Sequence, residues 1–359
     1  MKEFFKRYRT EIERELHSFF QAHEKALRGI NPWGDDLLKR FQRFSTQGKM
    51  IRGGLIILSY LMFRTTLIRP VLQLAAAIEI VHSSLLIHDD IMDRDLIRRG
   101  EPSLYRQYSL LGEERGIIEA DHFGESFAIC AGDIGFFFAY EILSKLELAS
   151  EVRELIQASW SRAFTTVGLA QMQDMFFSGI ENEVGEKEIL ELYRSKTALY
   201  TFSLPLATGA IAAGEDKSII EKLKRIGEHM GIAFQIRDDE LDLFGREHET
   251  GKPVGTDIEE GKKTLYYLYL IRLLSRAGEQ LSDRERAVLQ SITHRSDRNG
   301  SAIVELREVA EKYGIRAQVQ KKMEELSSKA EKLIISLPAR EEYREVLLEV
   351  LHHNAERKR

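Results

Sequence analysis

Six prolines punctuate a chain of 359 residues, and between them apolar side chains recur at helical spacing almost without interruption. Phe4–Leu27 alternates charged and apolar residues until Asn31-Pro32-Trp33-Gly34 stops it. The same period predicts helices over Leu37–Phe44, Leu55–Phe63, Val71–Ile91, Ser126–Leu146, Glu151–Phe177, Lys187–Ala213 and Lys217–Phe244. It returns over Thr264–Arg276, Asp283–Ile292, Ala302–Tyr313, Ile315–Ser336 and Arg340–Lys358. No segment alternates as a half-buried strand would, and no Pro/Gly/Ser-rich linker divides the chain. The expectation is one all-α domain over residues 1–359. Val71–Ile87, Ser126–Tyr140 and Ser203–Ala213 are apolar nearly all round, which assigns them to the centre of a large helical bundle.

Two acidic clusters of one shape stand out from this background: Asp89-Asp90-Ile91-Met92-Asp93 and Asp238-Asp239-Glu240-Leu241-Asp242. Each sets carboxylates at i, i+1 and i+4, so on a helix the first and last share a face one turn apart. Each follows an apolar stretch, Ile78–Ile87 or Met230–Ile236, which places it where a buried helix meets a cavity mouth. A single such cluster is more often a solvated helix face. Two of them, converging, would repel unless cations hold them. All-oxygen donor sets suit Mg²⁺, which keeps waters and completes its octahedron with substrate phosphates. The pair therefore suggests a clamp for a diphosphate.

The composition narrows the class. Hydrophobic residues make up 43% and charged residues 30%, an ordinary globular balance. A net charge of −5 gives no sign of nucleic-acid affinity. The one cysteine, Cys130, excludes an intramolecular disulfide framework and a thiolate metal site of its own; its neighbours Phe127-Ala128-Ile129 and Ala131-Gly132 read as core packing. Met1-Lys2-Glu3-Phe4-Phe5-Lys6-Arg7 lacks the apolar stretch of a signal peptide. No run reaches the length of a membrane span, and a cytoplasmic enzyme is expected.

Basic residues gather near the clusters. Arg94–Pro102 carries Arg98-Arg99-Gly100, and Gly245–Thr264 carries Lys252, Asp257, Lys262 and Lys263 among four glycines. A long glycine-punctuated loop beside a metal site is often a lid. Upstream, Gly48-Lys49-Met50-Ile51-Arg52-Gly53 sets a Lys/Arg pair at a helix start, where backbone N–H groups also favour anions. The spacing is not that of a GxxxxGK[ST] phosphate loop.

Together, GKxxR, HxSLxxHDDxxD, RRGxP, GD, QxxD, KT, FQxxDDxxD and GKPxGxDxxxGKxT resemble the trans-isoprenyl diphosphate synthases, or polyprenyl synthetases, from about Gly48 to Leu265, with further helices over 266–359. The resemblance implies an isoprenoid synthase bundle around a deep cavity, a homodimer, and condensation of isopentenyl diphosphate with a dimethylallyl, geranyl or farnesyl diphosphate. It implies that Asp89, Asp93 and Asp238 hold three Mg²⁺ ions, with Asp90, Asp239 and Asp242 as supporting carboxylates. Arg98, Lys196 and Lys252 match residues that grip the allylic diphosphate; Gly48, Lys49, Arg52, His82 and Arg99 match the isopentenyl diphosphate pocket. Thr197 and Gln235 match oxygens facing the carbocation, Phe234 a ring beside the isopentenyl tail, and Lys262 the closing lysine. His88 reads as a packing residue and His352-His353 as surface.

Gly53 stands where that family commonly has proline, Ala170 where it commonly has glycine. Gly112–Asp121 reads as an extra loop. Leu85, Ser84, Val81 and Ile78 are expected to line the cavity, one turn rising about 5.4 Å. With no aromatic ring at 84 or 85, the expected product is C20 or longer, and Ser84→Phe is expected to shorten it. Phe123, Phe127, Phe136 and Phe137 are candidate floors. A non-catalytic regulatory subunit, or a class I terpene cyclase, is the alternative; both intact clusters and the isopentenyl pocket argue against them.

Overall fold

The computed structural model describes residues 1–245, 254–276, 280–293 and 302–356. Lys252 and the basic end Arg357-Lys358-Arg359 lie outside them. The chain forms two compact units: residues 1–157 with 208–215, and residues 158–207 with 216–359.

The first unit contains α1 (Lys2–Arg28), α2 (Trp33–Thr46), α3 (Ile51–Leu61), α4 (Arg69–Met92), α5 (Leu104–Glu114) and α6 (Ala120–Ser144). Amphipathic α1 buries Tyr8, Ile12, Leu16 and Phe20. Pro70 sits in the first turn of α4, where its missing N–H costs nothing. From Leu74 to Ile80 every residue of α4 is buried, as a helix apolar all round must be. It approaches α6 closely because α6 carries glycines there. A Cβ at Gly132 would lie 2.3 Å from His88, and one at Gly135 2.1 Å from Ser84. Gly124 does the same for α5, beneath Ser109 and Tyr105.

Several expectations change here. The helix α5 is not among the expected helices, and Gly112–Asp121 is not one loop: only 115–119 separates α5 from α6. Among the described residues there is one strand pair, β1 (Ile97–Arg98) with antiparallel β2 (Glu101–Pro102). The helix α6 is not buried all round, since Ile129, Phe137 and Tyr140 are exposed along one face. Cys130 is on that open side rather than in the core. Both α4 and α6 are long and apolar enough to cross a membrane, contrary to the sequence reading, although 67% and 44% of their most apolar windows lie buried in the protein.

The helix α7 (Ser150–Gly179) contributes its residues from 158 onward to the second unit. There follow α8 (Glu186–Leu192), a π-helix (Tyr193–Ser203), α9 (Leu204–Ala212), α10 (Lys217–Phe244), α11 (Thr256–Glu260), α12 (Leu265–Arg276), α13 (Asp283–Ser291), α14 (Ile303–Lys312), α15 (Ile315–Ile335) and α16 (Glu341–Glu356). Asp216 caps α10 by accepting the Ile219 N–H at 3.0 Å. Where the period predicted one helix over Lys187–Ala213, eleven residues are wound as a π-helix. Such turns are rare and concentrate at functional sites. Two glycines of α10 admit it: a Cβ at Gly227 would meet the Ser203 backbone at 2.5 Å, and one at Gly231 the Ala198 Cα at 2.3 Å.

Those contacts are to backbone, which cannot step aside. Gly231→Ala should therefore destabilise the protein by about 1–3 kcal/mol through overpacking. Gly168→Ala, in α7 with nothing within 4 Å of a new Cβ, should be neutral or stabilising by up to about 1 kcal/mol. Denaturant titration of both variants checks this, and equal effects would contradict the close-approach account.

Candidate active site

Each acidic cluster ends a long helix, and in each the second aspartate is the one withdrawn from water. On α4, Asp90 is fully buried while Asp89 and Asp93 are partly exposed. Asp93 donates its N–H to the Asp89 carbonyl at 2.8 Å, which closes the helix and keeps both carboxylates on one side. The Arg98 guanidinium holds Asp90, donating from Nε to Oδ1 at 2.6 Å, and also holds Asp95 at 2.8 Å. Burial pushes the Asp90 carboxyl up to about 6, against the lowering pull of Arg98. Its other oxygen, Oδ2, is buried with no hydrogen-bond donor among the described residues.

A two-residue turn aims the arginines. Arg99 (φ +56°) and Gly100 (φ +79°) join β1 to β2, as the twist of a tight hairpin requires. Arg98 thereby reaches Asp90, whereas Arg99 donates to the Phe44 carbonyl at 2.8 Å and lies over the Phe44 ring. Gly48 lies under that guanidinium, 3.1 Å from Nη2 to a notional Cβ. Glu101 accepts from Gln47 at 2.9 Å and from Arg43, which ties the hairpin to α2.

Beside them, buried Glu79 accepts the Gly53 N–H at 2.8 Å. Proline at 53 could not make that bond, so the departure at this position has a structural use. Burial raises the Glu79 carboxyl, while the Arg52 charge and the backbone N–H groups of Gly53 and Arg52 lower it. Burial, then the charges of Arg52 and Arg99, hold His82 well below its ordinary value, so it is neutral. Lys49 is exposed. The first unit thus sets Gly48, Arg52, Glu79, His82, Arg98 and Arg99 along α4 between its middle and its end. His88 packs on α6, within 3.2 Å of the Ile129 carbonyl.

Ser84 does not leave open space. Its hydroxyl donates to the Ile80 carbonyl and lies against Gly135, which the tip of Phe41 also covers. A ring at 84 would strike α6, so Leu85, half-buried, is the better place to test the wall. Of the suggested floors, Phe123 and Phe127 pack on Trp33, Phe136 lies 5.7 Å from the His88 ring, and Phe137 is exposed.

In the second unit, Asp238 is exposed and Asp239 buried. Asp239 accepts from Gln235 Nε2 at 2.9 Å and from the Tyr193 hydroxyl. Gln235 in turn accepts from the Thr197 hydroxyl at 2.7 Å. Burial raises Asp239 to about 7 although both donors oppose it. Asp242 accepts from Thr256 Oγ1 at 2.9 Å and from the N–H groups of Thr256 and Asp257, both at 3.2 Å. Burial and then Asp242 raise Asp257 well above the carboxylate range. Glu240 behaves differently: Arg237, Arg316 and Gln320 all donate to it within 2.9 Å, and its value falls despite burial.

Lys196, on the π-helix, meets Asp174 at 2.5 Å. Lys262 pairs with Glu260 at 2.6 Å, while Lys263 is buried over the Tyr267 ring. Phe234 stacks on Phe202. Sequence reasoning gave no part to Tyr193, Asp174, Glu79 or Thr256. For Asp174 the QxxD pattern was a signal; for Tyr193 nothing in one sequence marks it.

The donor chemistry fits Mg²⁺, because both clusters offer carboxylate oxygens without histidine or thiolate. Among the described residues no three His, Cys, Asp or Glu side chains converge to hold a metal ion by themselves.

Residues 36–308 match the polyprenyl synthetase family. The chain is 34% identical over 250 residues to a short chain isoprenyl diphosphate synthase of Methanocaldococcus jannaschii, covering 69% of this chain and 68% of that protein. It is 32% identical over 258 residues to a geranylgeranyl diphosphate synthase of Sulfolobus acidocaldarius, covering 71% of each. The crystal structure of geranylgeranyl pyrophosphate synthase from Corynebacterium glutamicum, complexed with isoprenyl diphosphate and magnesium, aligns with a TM-score of 0.89 at 28% identity over 98% of this chain and 99% of that one. The chain accordingly belongs to the polyprenyl synthetase family and has the all-α isoprenoid synthase fold.

Proposed function

We propose that this prenyltransferase condenses isopentenyl diphosphate with an allylic diphosphate, giving an all-trans prenyl diphosphate of C20 length. The observation that carries the reading is the matched pair of clusters, each with its second aspartate pinned by protein donors and its first and last on one helix face. Relatives named geranylgeranyl diphosphate synthase from Methanosarcina mazei and Sulfolobus acidocaldarius support the length.

In this reading Asp89, Asp93 and Asp238 hold three Mg²⁺ ions with the allylic diphosphate. Mg²⁺ held by these carboxylates would supply positive charge to offset that of the diphosphate. Lys196, Lys252 and Arg98 bind the same oxygens, and Asp174 sets the reach of Lys196. The Thr197–Gln235 pair turns oxygen toward the cation left behind. Lys49, Arg52 and Arg99 hold isopentenyl diphosphate beside His82, leaving its alkene to attack the cation. The departing pyrophosphate takes the proton that is lost. Lys262 closes the site from the loop before α12. The exposed apolar face of α6, and Leu169, Met172 and Phe176 along α7, suit burial against a second copy in a homodimer.

Incubation with farnesyl diphosphate and Mg²⁺ should yield a C20 diphosphate only when isopentenyl diphosphate is present. Hydrocarbon formed from farnesyl diphosphate alone would favour a cyclase, and no turnover a regulatory subunit. Asp89→Ala or Asp238→Ala should lower turnover by roughly three orders of magnitude with the fold intact; near-normal turnover in either would sink the reading.

The two diphosphates should separate kinetically. Lys49→Ala should raise KM for isopentenyl diphosphate with kcat little changed, and Lys196→Ala should lower kcat instead. The reverse pattern would exchange the assignments.

Glu240 should not behave as a ligand. Arg316→Met removes one of its three donors and should cost about 1–2 kcal/mol of stability, discounted for the partial exposure of Arg316. Metal dependence should stay within about twofold; a larger change would return Glu240 to the metal site.

A further inference from the structure

One phenol joins three parts of the second unit. Tyr193, only 5% exposed, opens the π-helix three residues before Lys196. Its hydroxyl donates to Oδ2 of Asp239 and accepts the Leu265 N–H at 3.1 Å. A hydroxyl can donate one bond and accept two, so a single oxygen serves both partners. Leu265 is the first residue of α12, and its N–H is one of the donors a helix start leaves without an internal partner. The residues just before it are Lys262-Lys263-Thr264, the end of the loop that wraps Asp242 through Thr256 and Asp257. The other oxygen of Asp239 leads through Gln235 to Thr197, one turn from Tyr193 on the same π-helix. Phenylalanine would fill the volume of Tyr193 equally well; only the hydroxyl makes these links.

We propose that Tyr193 is a positioning residue, whose hydroxyl sets Asp239, and with it Asp238 and Asp242, to receive metal-bound diphosphate and couples that state to the loop ending at Leu265. The inference rests on the reading of this cluster as metal-bearing. Tyr193 touches no reacting atom. It acts through the orientation of a carboxylate and through the start of α12. Partners that orient metal ligands are worth about 10–100-fold in metal affinity or activity, and Tyr193 belongs in that range.

The test compares wild type with Tyr193→Phe. The variant should lower kcat about tenfold and raise the Mg²⁺ half-saturation concentration severalfold, with KM for isopentenyl diphosphate within about twofold of wild type. Unchanged kcat and Mg²⁺ dependence in a folded variant would overturn the proposal. So would a fall in melting temperature with both KM values raised and the Mg²⁺ dependence unmoved, since that is a packing defect. Amide exchange supplies a readout that needs no turnover. In wild type, Mg²⁺ with inorganic pyrophosphate should slow exchange at Leu265 relative to either alone, and Tyr193→Phe should abolish the slowing. No slowing in wild type would overturn the coupling even if the variant did not fold. If wild type binds pyrophosphate with Mg²⁺ and slows Leu265, yet makes no prenyl diphosphate, the proposed function fails while the positioning role stands.

Discussion

Carboxylates packed at the end of an apolar helix must be compensated, because an isolated buried charge costs several kcal/mol. Both clusters meet this demand at their second aspartate, and they meet it differently. Asp90 faces a guanidinium, with Arg98 bonded to it and to Asp95. Among the described residues, the donors bonded to Asp239 are neutral, Tyr193 and Gln235. Burial is the largest influence on both and raises each above the ordinary carboxylate value, while the bonded donors pull each back down. A cation stabilises a charged carboxylate more than a phenol or an amide does. Of the two second aspartates, Asp239 is the one that no cation among the described residues is seen to bond. Glu240 marks the other limit, where three donors satisfy the carboxylate and leave nothing for a ligand.

The backbone geometry that carries these groups depends on close approach. Glycines 132 and 135 let α6 settle on α4 behind the first cluster, and glycines 227 and 231 let α10 settle on the π-helix. The wider π turn sends Lys196 toward Asp174 while its neighbour Thr197 reaches Gln235. The two side chains thus diverge from adjacent positions to different partners, one charged and one neutral. On the first unit the Arg99-Gly100 turn divides two adjacent arginines in the same manner.

Most of the helical order could be read from the sequence, since apolar period and scarce proline leave few alternatives for segments such as Ile315–Ile335. The aspartates were legible because a repeated spacing is informative even without a relative in view. What could not be read follows from the tertiary setting. The helix α5 is short and amphipathic, burying Leu104, Tyr105, Tyr108, Ser109 and Gly112 on one face, and α6 closes over it at Tyr105 and Ser109. The π-helix has no compositional mark, and the close approach of α10 to it depends on Gly227 and Gly231, which lie opposite. Cys130 and Ser84 were misplaced for one reason. Periodicity shows that α4 and α6 are apolar, but not which face each turns toward the other, so Cys130 fell outward and Ser84 against Gly135. Tyr193 and Asp174 matter through partners far away in sequence, which spacing alone does not reveal.

The central claim is a division of labour within each cluster: the second aspartate is held by the protein, and the first faces the cation. Crystals grown with Mn²⁺ and inorganic pyrophosphate would test it by anomalous scattering. The account predicts metal peaks within bonding distance of Asp89, Asp93 and Asp238, with Asp90 still on Arg98, Asp239 still on Tyr193 and Glu240 still on Arg316. Metal bound by Glu240, or by Asp90 with Arg98 displaced, would contradict it.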